Sequence, residues 1–346
     1  MGYSYVIVNH IFMSIKVKEQ VSLASFTTMH VGGNARFFVG VESAEELSAA
    51  VSFARTRNLP IFVLGGGSNT VVSGAGFLGL VIKMEIKGIT RDDRRITAGA
   101  GEGWDDVVHY AVSRDLWGIE NLSLVPGTVG GAAIQNIGAY GVEARDTISS
   151  VEVFDTNTNA IKVFLNEECE FAYRESIFKK NKNLIVVRVS FDLTKSGTPR
   201  VEYEDVKKYF SDAKIVEPSL KEIRDAIVAI RTAKLPAPPI GTAGSFFKNP
   251  VISTDQYNAL KIRFPEIKAY PQGPNTVKLA AAWLLDHVGH WRGVRRGDAG
   301  VHEKQALIIV NYGNAKAEEI YLLADEMKRD VKEKTGVVLE EEVVML

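Results

Sequence analysis

Val125–Gly141, read VPGTVGGAAIQNIGAYG, places glycines at 127, 130, 131, 138 and 141 in a run with almost no charge. Glycine removes the Cβ that keeps a backbone at arm's length from a ligand and tolerates left-handed conformations closed to other residues. Main chain lying along an extended cofactor is one reading; turn-rich packing between domains is the other. So long a glycine-punctuated run is unusual for a loop that only connects.

A second glycine segment, Gly65-Gly66-Gly67-Ser68-Asn69, follows the strand-like Ile61-Phe62-Val63-Leu64. Exposed amides there suit close approach to an anion, and a tight turn is the competing reading. The spacing is not the GxGxxG dinucleotide fingerprint, and no GxxxxGK[ST] loop occurs, which disfavours a standard nicotinamide Rossmann domain or a kinase-type loop. Farther on, Ala243-Gly244-Ser245-Phe246-Phe247-Lys248-Asn249-Pro250 sets one hydroxyl among small, aromatic and cationic neighbours, a pattern suited to a reaction site as well as to a turn.

The chain's 346 residues are enough for two or three domains with their own cores. Hydrophobic content of 46%, charged content of 24% and 30 glycines describe an ordinary globular protein. A formal charge of −1 provides no general field for a polyanion, so nucleic acid is not an expected partner. The single cysteine, Cys169, allows no internal disulfide and fits a reducing compartment; its apolar strand-like setting reads as a buried small hydrophobe. No HExxH or Cys/His cluster supports a metal site. No run reaches the roughly 18 to 20 apolar residues of a membrane span, and the N-terminus lacks a secretory pattern, so a cytoplasmic location is expected.

Ser43-Ala44-Glu45-Glu46 reads as a capping box opening a helix with Leu47, Ala50, Val51 and Ala54 on one face. From Thr97 the pattern is strand, glycines, then a helix carrying Trp104, Val107, Val108, Ala111 and Val112, ended by Gly118. Val151–Phe154, Ile161–Phe164 and Leu184–Phe191 read as an antiparallel sheet. A second cap at Ser219 starts a helix with Ile223, Ile227 and Ile230, which gives way to Pro-rich LPAPPIG at a domain boundary. Helices over Thr276–His287 and Ala315–Lys334, a strand over Ala306–Asn311 and a terminal strand Val337–Leu346 complete the expectation. Arg174, in the otherwise apolar YRESIFKK, would need an anion if directed inward; a surface pair with Glu175 is the alternative. The terminal Leu339-Glu340-Glu341-Glu342-Val343 puts Glu340 and Glu342 on one strand face and Glu341 on the other.

These motifs occur in one order, joined by TMHVGGNA from Thr28, RTAKLP from Arg231, KLAAAWLLD from Lys278 and HEKQAL from His302. Together, from about Thr27 to Val343, they resemble the UDP-N-acetylenolpyruvoylglucosamine reductases, the MurB flavoproteins of peptidoglycan precursor synthesis, in the form with a tyrosine-bearing substrate loop. The resemblance implies an α+β protein: a PCMH-type FAD-binding fold of two α/β subdomains plus a third α+β substrate-binding domain. The implied division is 20–84 with 336–346 as the first FAD subdomain, 85–234 as the second and 235–335 as the substrate domain. Residues 1–19 would be an N-terminal extension, of which 1–12 precede a second possible start at Met13.

Such enzymes use NADPH, through non-covalently bound FAD, to reduce an enolpyruvyl ether on a UDP-linked amino sugar to UDP-N-acetylmuramate, and this oxidoreductase activity serves cell wall biogenesis, cell shape and cell division. By the resemblance Ser245 donates the proton, while Arg174 and Glu342 stabilise the enolate, where developing charge makes positive and hydrogen-bonding groups most valuable. FAD contacts would come from Gly65, Gly66, Gly67, Ser68, Asn69, Pro126, Gly127, Gly130, Gly131, Gln135, Asn136, Gly138, Ala139, Gly141 and Arg231. Substrate contacts would come from Tyr203, Lys234, Asn249, Tyr270 and Gln305, with Lys234 and Tyr203 suited to the diphosphate.

The chain departs from the family in three places. Asn34 stands where many relatives have proline, Gly131-Ala132-Ala133 is a looser match, and only four residues follow Glu342, which would weaken its anchoring. Another PCMH-type flavin oxidoreductase and a non-catalytic nucleotide sensor are the rival readings; retention of Arg174, Ser245 and Glu342 together argues against the sensor. Protein beginning at Met13 is expected to retain full activity, a test made by assaying the purified truncation beside the full chain.

Overall fold

A computed structural model describes residues 5–10 and 13–346. Part of the proposed dispensable extension, residues 1–4 and 11–12, lies outside the described residues; of the rest, strand Tyr5–His10 pairs antiparallel with strand Met13–Ser22. The chain divides into two compact units, one of residues 1–21, 35–66 and 77–233, the other of 22–34, 67–76 and 234–346.

The first unit holds two five-stranded sheets. One orders the strands Tyr5–His10, Met13–Ser22, Asn34–Val41, Phe77–Met84 and Ile61–Leu64, with Phe77–Met84 parallel to both Asn34–Val41 and Ile61–Leu64. Helix Ala44–Thr56 makes the crossover that parallel strands require. Ser43 caps it, its Oγ accepting from the Glu46 N–H at 3.2 Å, but the Glu46 carboxylate takes the Glu42 N–H at 2.7 Å, one residue earlier than the expected box. The other sheet is antiparallel, in the order Ala160–Leu165, Ile148–Asp155, Leu184–Asp192, Arg95–Gly99 and Ile89–Asp92, as the three strand-like stretches predicted.

Both sheets contribute to a single core in which Trp104, Phe53, Phe191, Leu80 and Ile82 are fully buried. Trp104 meets Phe191 edge-on at 5.7 Å and its indole N–H donates to the Leu122 carbonyl at 2.9 Å, so the largest side chain of the core has its polar atom satisfied. Its helix, Trp104–Val112, stops well short of the predicted Gly118. Asp115 takes a left-handed φ of +55° and the Leu116 N–H turns back to Ala111, so local backbone geometry ends the helix before glycine is needed. Helix Leu220–Lys234 starts with a reciprocal capping box, Ser219 N–H to Glu222 Oε2 at 2.8 Å and Glu222 N–H to Ser219 Oγ at 3.3 Å. It packs Ile223 and Ile227 against Val206 and Phe210 of helix Glu204–Ala213.

The second unit holds a four-stranded sheet, Gly241–Ser245, Ile308–Asn311, Ala299–Val301 and Arg295–Arg296, and a three-stranded sheet centred on Thr276–Leu279. That central strand overturns the helix expected over Thr276–His287. Thr276–Leu279 pairs on one side with Val251–Ser253 and on the other with Ala269–Pro271; only Ala281–Trp283 is α-helical, and Leu284–Val288 is a π-turn. Ladder hydrogen bonds on both sides outweigh a helical periodicity too short to be decisive. Helix Ala317–Thr335 ends at Gly336, φ +73°, as glycine's access to that conformation predicts. The expected terminal strand Val337–Leu346 is reduced to Val344–Met345, parallel to Thr70–Val71, and a bridge from Glu341 to Phe247, because the segment changes partner along its length.

Arg224, on helix Leu220–Lys234, makes a fork of two 2.8 Å bonds to the Asp105 carboxylate, and the Leu124 N–H donates to the same group. Burial opposes ionisation of Asp105, but these bonds outweigh it and its carboxyl lies below the usual range. Such a group stabilises the fold above its unfolded value, about 3.9, and loses that contribution as pH falls through its lower folded value. Arg224→Met, which leaves a half-buried carboxylate without its cation, is expected to cost about 2 kcal/mol at pH 7. Urea unfolding checks both parts of this: the gap between variant and wild type should close below pH 4.

Candidate functional site

The expected site residues fall in both units. In the first, strand Ile61–Leu64 delivers Gly65 and Gly66 against the start of the long glycine run. A Cβ at Gly66 would stand 2.8 Å from Gly127 Cα, and one at Gly65 would stand 2.7 Å from the Thr128 hydroxyl. The two segments therefore abut through bare main chain at Gly66 and Gly127, with the Thr128 side chain against Gly65. The second is pinned from behind: Trp104 N–H donates to Gly127 O at 3.0 Å, Val129 N–H to Glu102 O at 3.0 Å and Gly130 N–H to Ala100 O at 2.9 Å. A Cβ at Gly131 would meet only the Thr128 hydroxyl, at 3.7 Å, and Gly141, φ +82°, faces open space. Pro126 is exposed, and Gly138 and Ala139 form a short strand paired with Val142–Glu143.

Asn136, buried and left-handed at φ +39°, uses its carboxamide structurally. Its Nδ2 donates to Glu143 Oε2 and Ala172 O, and its Oδ1 accepts from the Arg145 N–H, so what it offers a ligand is main chain. The Gln135 Oε1 accepts from Lys179 at 3.1 Å. Arg174 is half-buried at φ +57°, a conformation costing a non-glycine residue about 1 kcal/mol, and its Nη2 donates to Gly138 O at 2.9 Å. Strain held by surrounding bonds at a charged group is characteristic of functional positions.

Arg231 is sunk among protein atoms, and burial depresses its affinity for the proton; the Tyr140 hydroxyl partly offsets that and the Leu124 carbonyl accepts from its Nε. Burial likewise raises the Tyr140 phenol, against the opposing pull of Arg231. The Tyr140 ring meets Tyr203 edge-on at 5.2 Å, which gathers two expected ligand-facing residues, Arg231 and Tyr203, around a tyrosine the motif reading did not single out. Lys83 was also missed. Its ammonium holds the Gly65 carbonyl, and burial lowers its proton affinity; a lysine inside the apolar run Leu80–Met84 was the available signal. Cys169 is buried, donates to Leu165 O and is pushed up to about 12 by burial, in keeping with an inert thiol.

In the second unit, Ser245 ends strand Gly241–Ser245 where a register shift sets Thr242 opposite Val310 but Ser245 opposite Ile308. Gly244, φ +76°, supplies the bulge, and Ser245 emerges exposed between the buried Ala243 and Phe246. Bulges re-aim side chains in this way beside active sites. The terminal segment runs alongside: Lys248 N–H donates to Glu340 O and Glu342 N–H to Phe246 O, both at 2.8 Å. Asn69 clamps Glu342, its Nδ2 donating to the Glu342 carbonyl at 3.1 Å while its own carbonyl takes the Val344 N–H at 2.9 Å. Leu346 O accepts from Ser73 N–H at 2.6 Å, so the short tail anchors Glu342 firmly, contrary to expectation. Glu341 faces away to Lys328 at 2.6 Å and Glu340 pairs with Lys248.

Gly67 packs its α-carbon against the Phe26 and Thr27 main chain, beside half-buried Ser68. The Asn249 Oδ1 accepts from Ala281 N–H at 2.9 Å; Gln305 sits in the turn before strand Ile308–Asn311; Tyr270, on strand Ala269–Pro271, is exposed, and Lys234 is half-buried. Among the described residues no group of three His, Cys, Asp or Glu side chains is arranged to hold a metal, and no helix is long and apolar enough to cross a membrane.

Residues 35–163 match the family described as FAD binding domain, and residues 236–346 match the C-terminal domain of UDP-N-acetylenolpyruvoylglucosamine reductase. The reductase of that name from Pseudomonas putida is 40% identical over 337 residues, spanning 95% of this chain and 99% of its own, and that from Chromobacterium violaceum is 40% identical over 343 residues. The chain belongs to the UDP-N-acetylenolpyruvoylglucosamine reductase family. The solved reductase from Thermus caldophilus covers 96% of the chain at a TM-score of 0.68 and 29% identity. Membership makes the protein a flavin-dependent oxidoreductase of mixed α+β fold, with an FAD-binding domain and the reductase family's C-terminal domain.

The bare glycine contact, with main-chain groups of the long run unobstructed at Gly131 and Gly141, fits the FAD such reductases carry. Gly66→Ala would force a methyl into the Gly127 backbone. It is expected to weaken FAD retention by at least about tenfold, the equivalent of 1.4 kcal/mol, measured as the flavin-to-protein absorbance ratio of the purified variant.

Proposed function

We propose that the chain catalyses the NADPH-dependent, FAD-mediated reduction of UDP-N-acetylenolpyruvoylglucosamine to UDP-N-acetylmuramate in the cytoplasm, as a step of peptidoglycan precursor synthesis. The observation that carries this reading is similarity along the whole length to reductases of that name, at 40% identity over 95% of the chain. The backbone pairing of the Ser245 strand with the Glu342 segment supports it, because two groups of the proposed chemistry come from positions far apart in the chain.

Held along the glycine segments Gly65–Asn69 and Pro126–Gly141, FAD would supply the hydride-transfer chemistry between NADPH and the methylene carbon of the enolpyruvyl group. The protein's part is charge and proton placement. As hydride arrives, negative charge moves toward the substrate carboxylate, where the Arg174 guanidinium stabilises it and Glu342 assists in its protonated form by donating a hydrogen bond. Ser245 then gives its hydroxyl proton to the other carbon of the former double bond. A serine is a weak acid, but beside a strongly basic carbon its position counts for more than its acidity. Lys234 and Tyr203 donate to the diphosphate oxygens, and Asn249, Tyr270 and Gln305 recognise the rest of the sugar nucleotide.

Ser245→Ala is expected to slow reoxidation of the reduced flavin by the enolpyruvyl substrate by about 10²-fold or more, the usual share of a positioned proton donor, while leaving bleaching by NADPH intact. Stopped-flow absorbance of the flavin separates the two halves; equal loss in both would remove Ser245 from this role.

A further inference from the structure

Arg174 stands at the centre of a hairpin turn whose conformation its own sequence does not favour. Ala172 and Glu175 exchange both main-chain hydrogen bonds, at 3.0 and 3.1 Å, leaving Tyr173 and Arg174 as the two central residues, with Arg174 left-handed. Glycine would adopt that φ freely; arginine needs neighbours to hold it.

Those neighbours lie at both ends of the residue. The guanidinium donates to Gly138 O at 2.9 Å, tying the side chain to the short strand Gly138–Ala139. At the main-chain end, Lys179 reaches back from the short helix Ile177–Lys180, its ammonium 2.8 Å from Arg174 O, 3.1 Å from Gln135 Oε1 and 3.6 Å from Glu175 Oε1. Ser176, which caps that helix, donates to Ile134 O at 2.8 Å, so the platform from which Lys179 reaches is itself fixed to helix Val129–Gln135. Asn136 completes the frame by holding Ala172 O at 2.9 Å.

We propose that Lys179 is a positioning residue for Arg174: its ammonium holds the Arg174 carbonyl in the left-handed turn and so fixes the direction from which the guanidinium meets negative charge. The inference rests on the catalytic reading of Arg174. An ammonium suits the task because its three donors can serve the Arg174 carbonyl, the Gln135 amide and the Glu175 carboxylate together, whereas a neutral chain of equal length serves none. Without it, the turn has a left-handed arginine and one fewer bond to keep it so. The guanidinium then samples directions away from the productive one, and displacement of a charged group by an ångström is enough to cost about 10²-fold in rate.

The test uses the full-length, FAD-loaded enzyme with Lys179→Met, Lys179→Arg, Arg174→Ala and the Lys179→Met/Arg174→Ala pair. Both flavin half-reactions are followed by stopped flow, with thermal midpoints alongside. Lys179→Met should slow reoxidation by the enolpyruvyl UDP-sugar by about 10- to 100-fold with NADPH reduction unchanged. Lys179→Arg should recover most of the loss. In the Arg174→Ala background, Lys179→Met should add little further loss, because the two residues act as one unit. Equal damage to both half-reactions, a fall in thermal midpoint alone, or losses that multiply in the pair would overturn the proposal. If Arg174→Ala slows reoxidation and Lys179→Met does not, only the positioning role fails. If Arg174→Ala leaves reoxidation intact, the catalytic reading of Arg174 fails and takes the proposal with it.

Discussion

Close approach of main chain at Gly66 to main chain at Gly127, with Gly65 against the Thr128 hydroxyl beside it, is the constraint on which the first unit depends. One segment leaves the parallel sheet at Leu64, and the other is bonded to the turn Ala100–Glu102 that follows a strand of the antiparallel sheet. Their contact ties the two sheets, and the core they share, which includes the fully buried Trp104, lies within the same unit. A single methyl at Gly66 would meet main chain rather than a side chain able to rotate aside, so nothing cheap can yield.

The same unit holds three cations under strain or partial desolvation. Lys83 is half-buried against a glycine carbonyl, Arg231 lies against a phenol, and Arg174 is held left-handed. Each arrangement costs free energy, through desolvation or through a left-handed backbone. By contrast the Arg224–Asp105 pair is complete in itself, with fork geometry and a main-chain donor, and reads as architecture that holds helix Leu220–Lys234 in place.

The second unit solves a different problem, bringing residues distant in sequence onto one strip of backbone. The bulge at Gly244 turns Ser245 outward, and the terminal segment lies beside it in a pairing fixed by Phe246, Asn69 and the Thr70–Val71 strand. Changing partner every few residues prevents a long regular strand, yet it fixes Glu342 between two sets of main-chain bonds.

The chain's sequence alone determined what depends on neighbours within a few positions: the caps at Ser43 and Ser219, the stop at Gly336, the antiparallel strands after Ile148, and the glycine motifs with the family they identify. These are legible because a cap, a left-handed stop or an alternating strand is decided by local geometry. Only the tertiary structure decided that Thr276–Leu279 is a strand, since a stretch of four residues suits either state until partners on both sides supply hydrogen bonds. It also decided that Asn136 is spent on structure, that Tyr140 joins Arg231 to Tyr203, and that Lys179 reaches the Arg174 carbonyl. The first two depend on where a distant carbonyl, phenol or guanidinium comes to rest, which leaves no periodicity in the chain, and the third on a turn that bends the Arg174 carbonyl back toward a side chain five residues on.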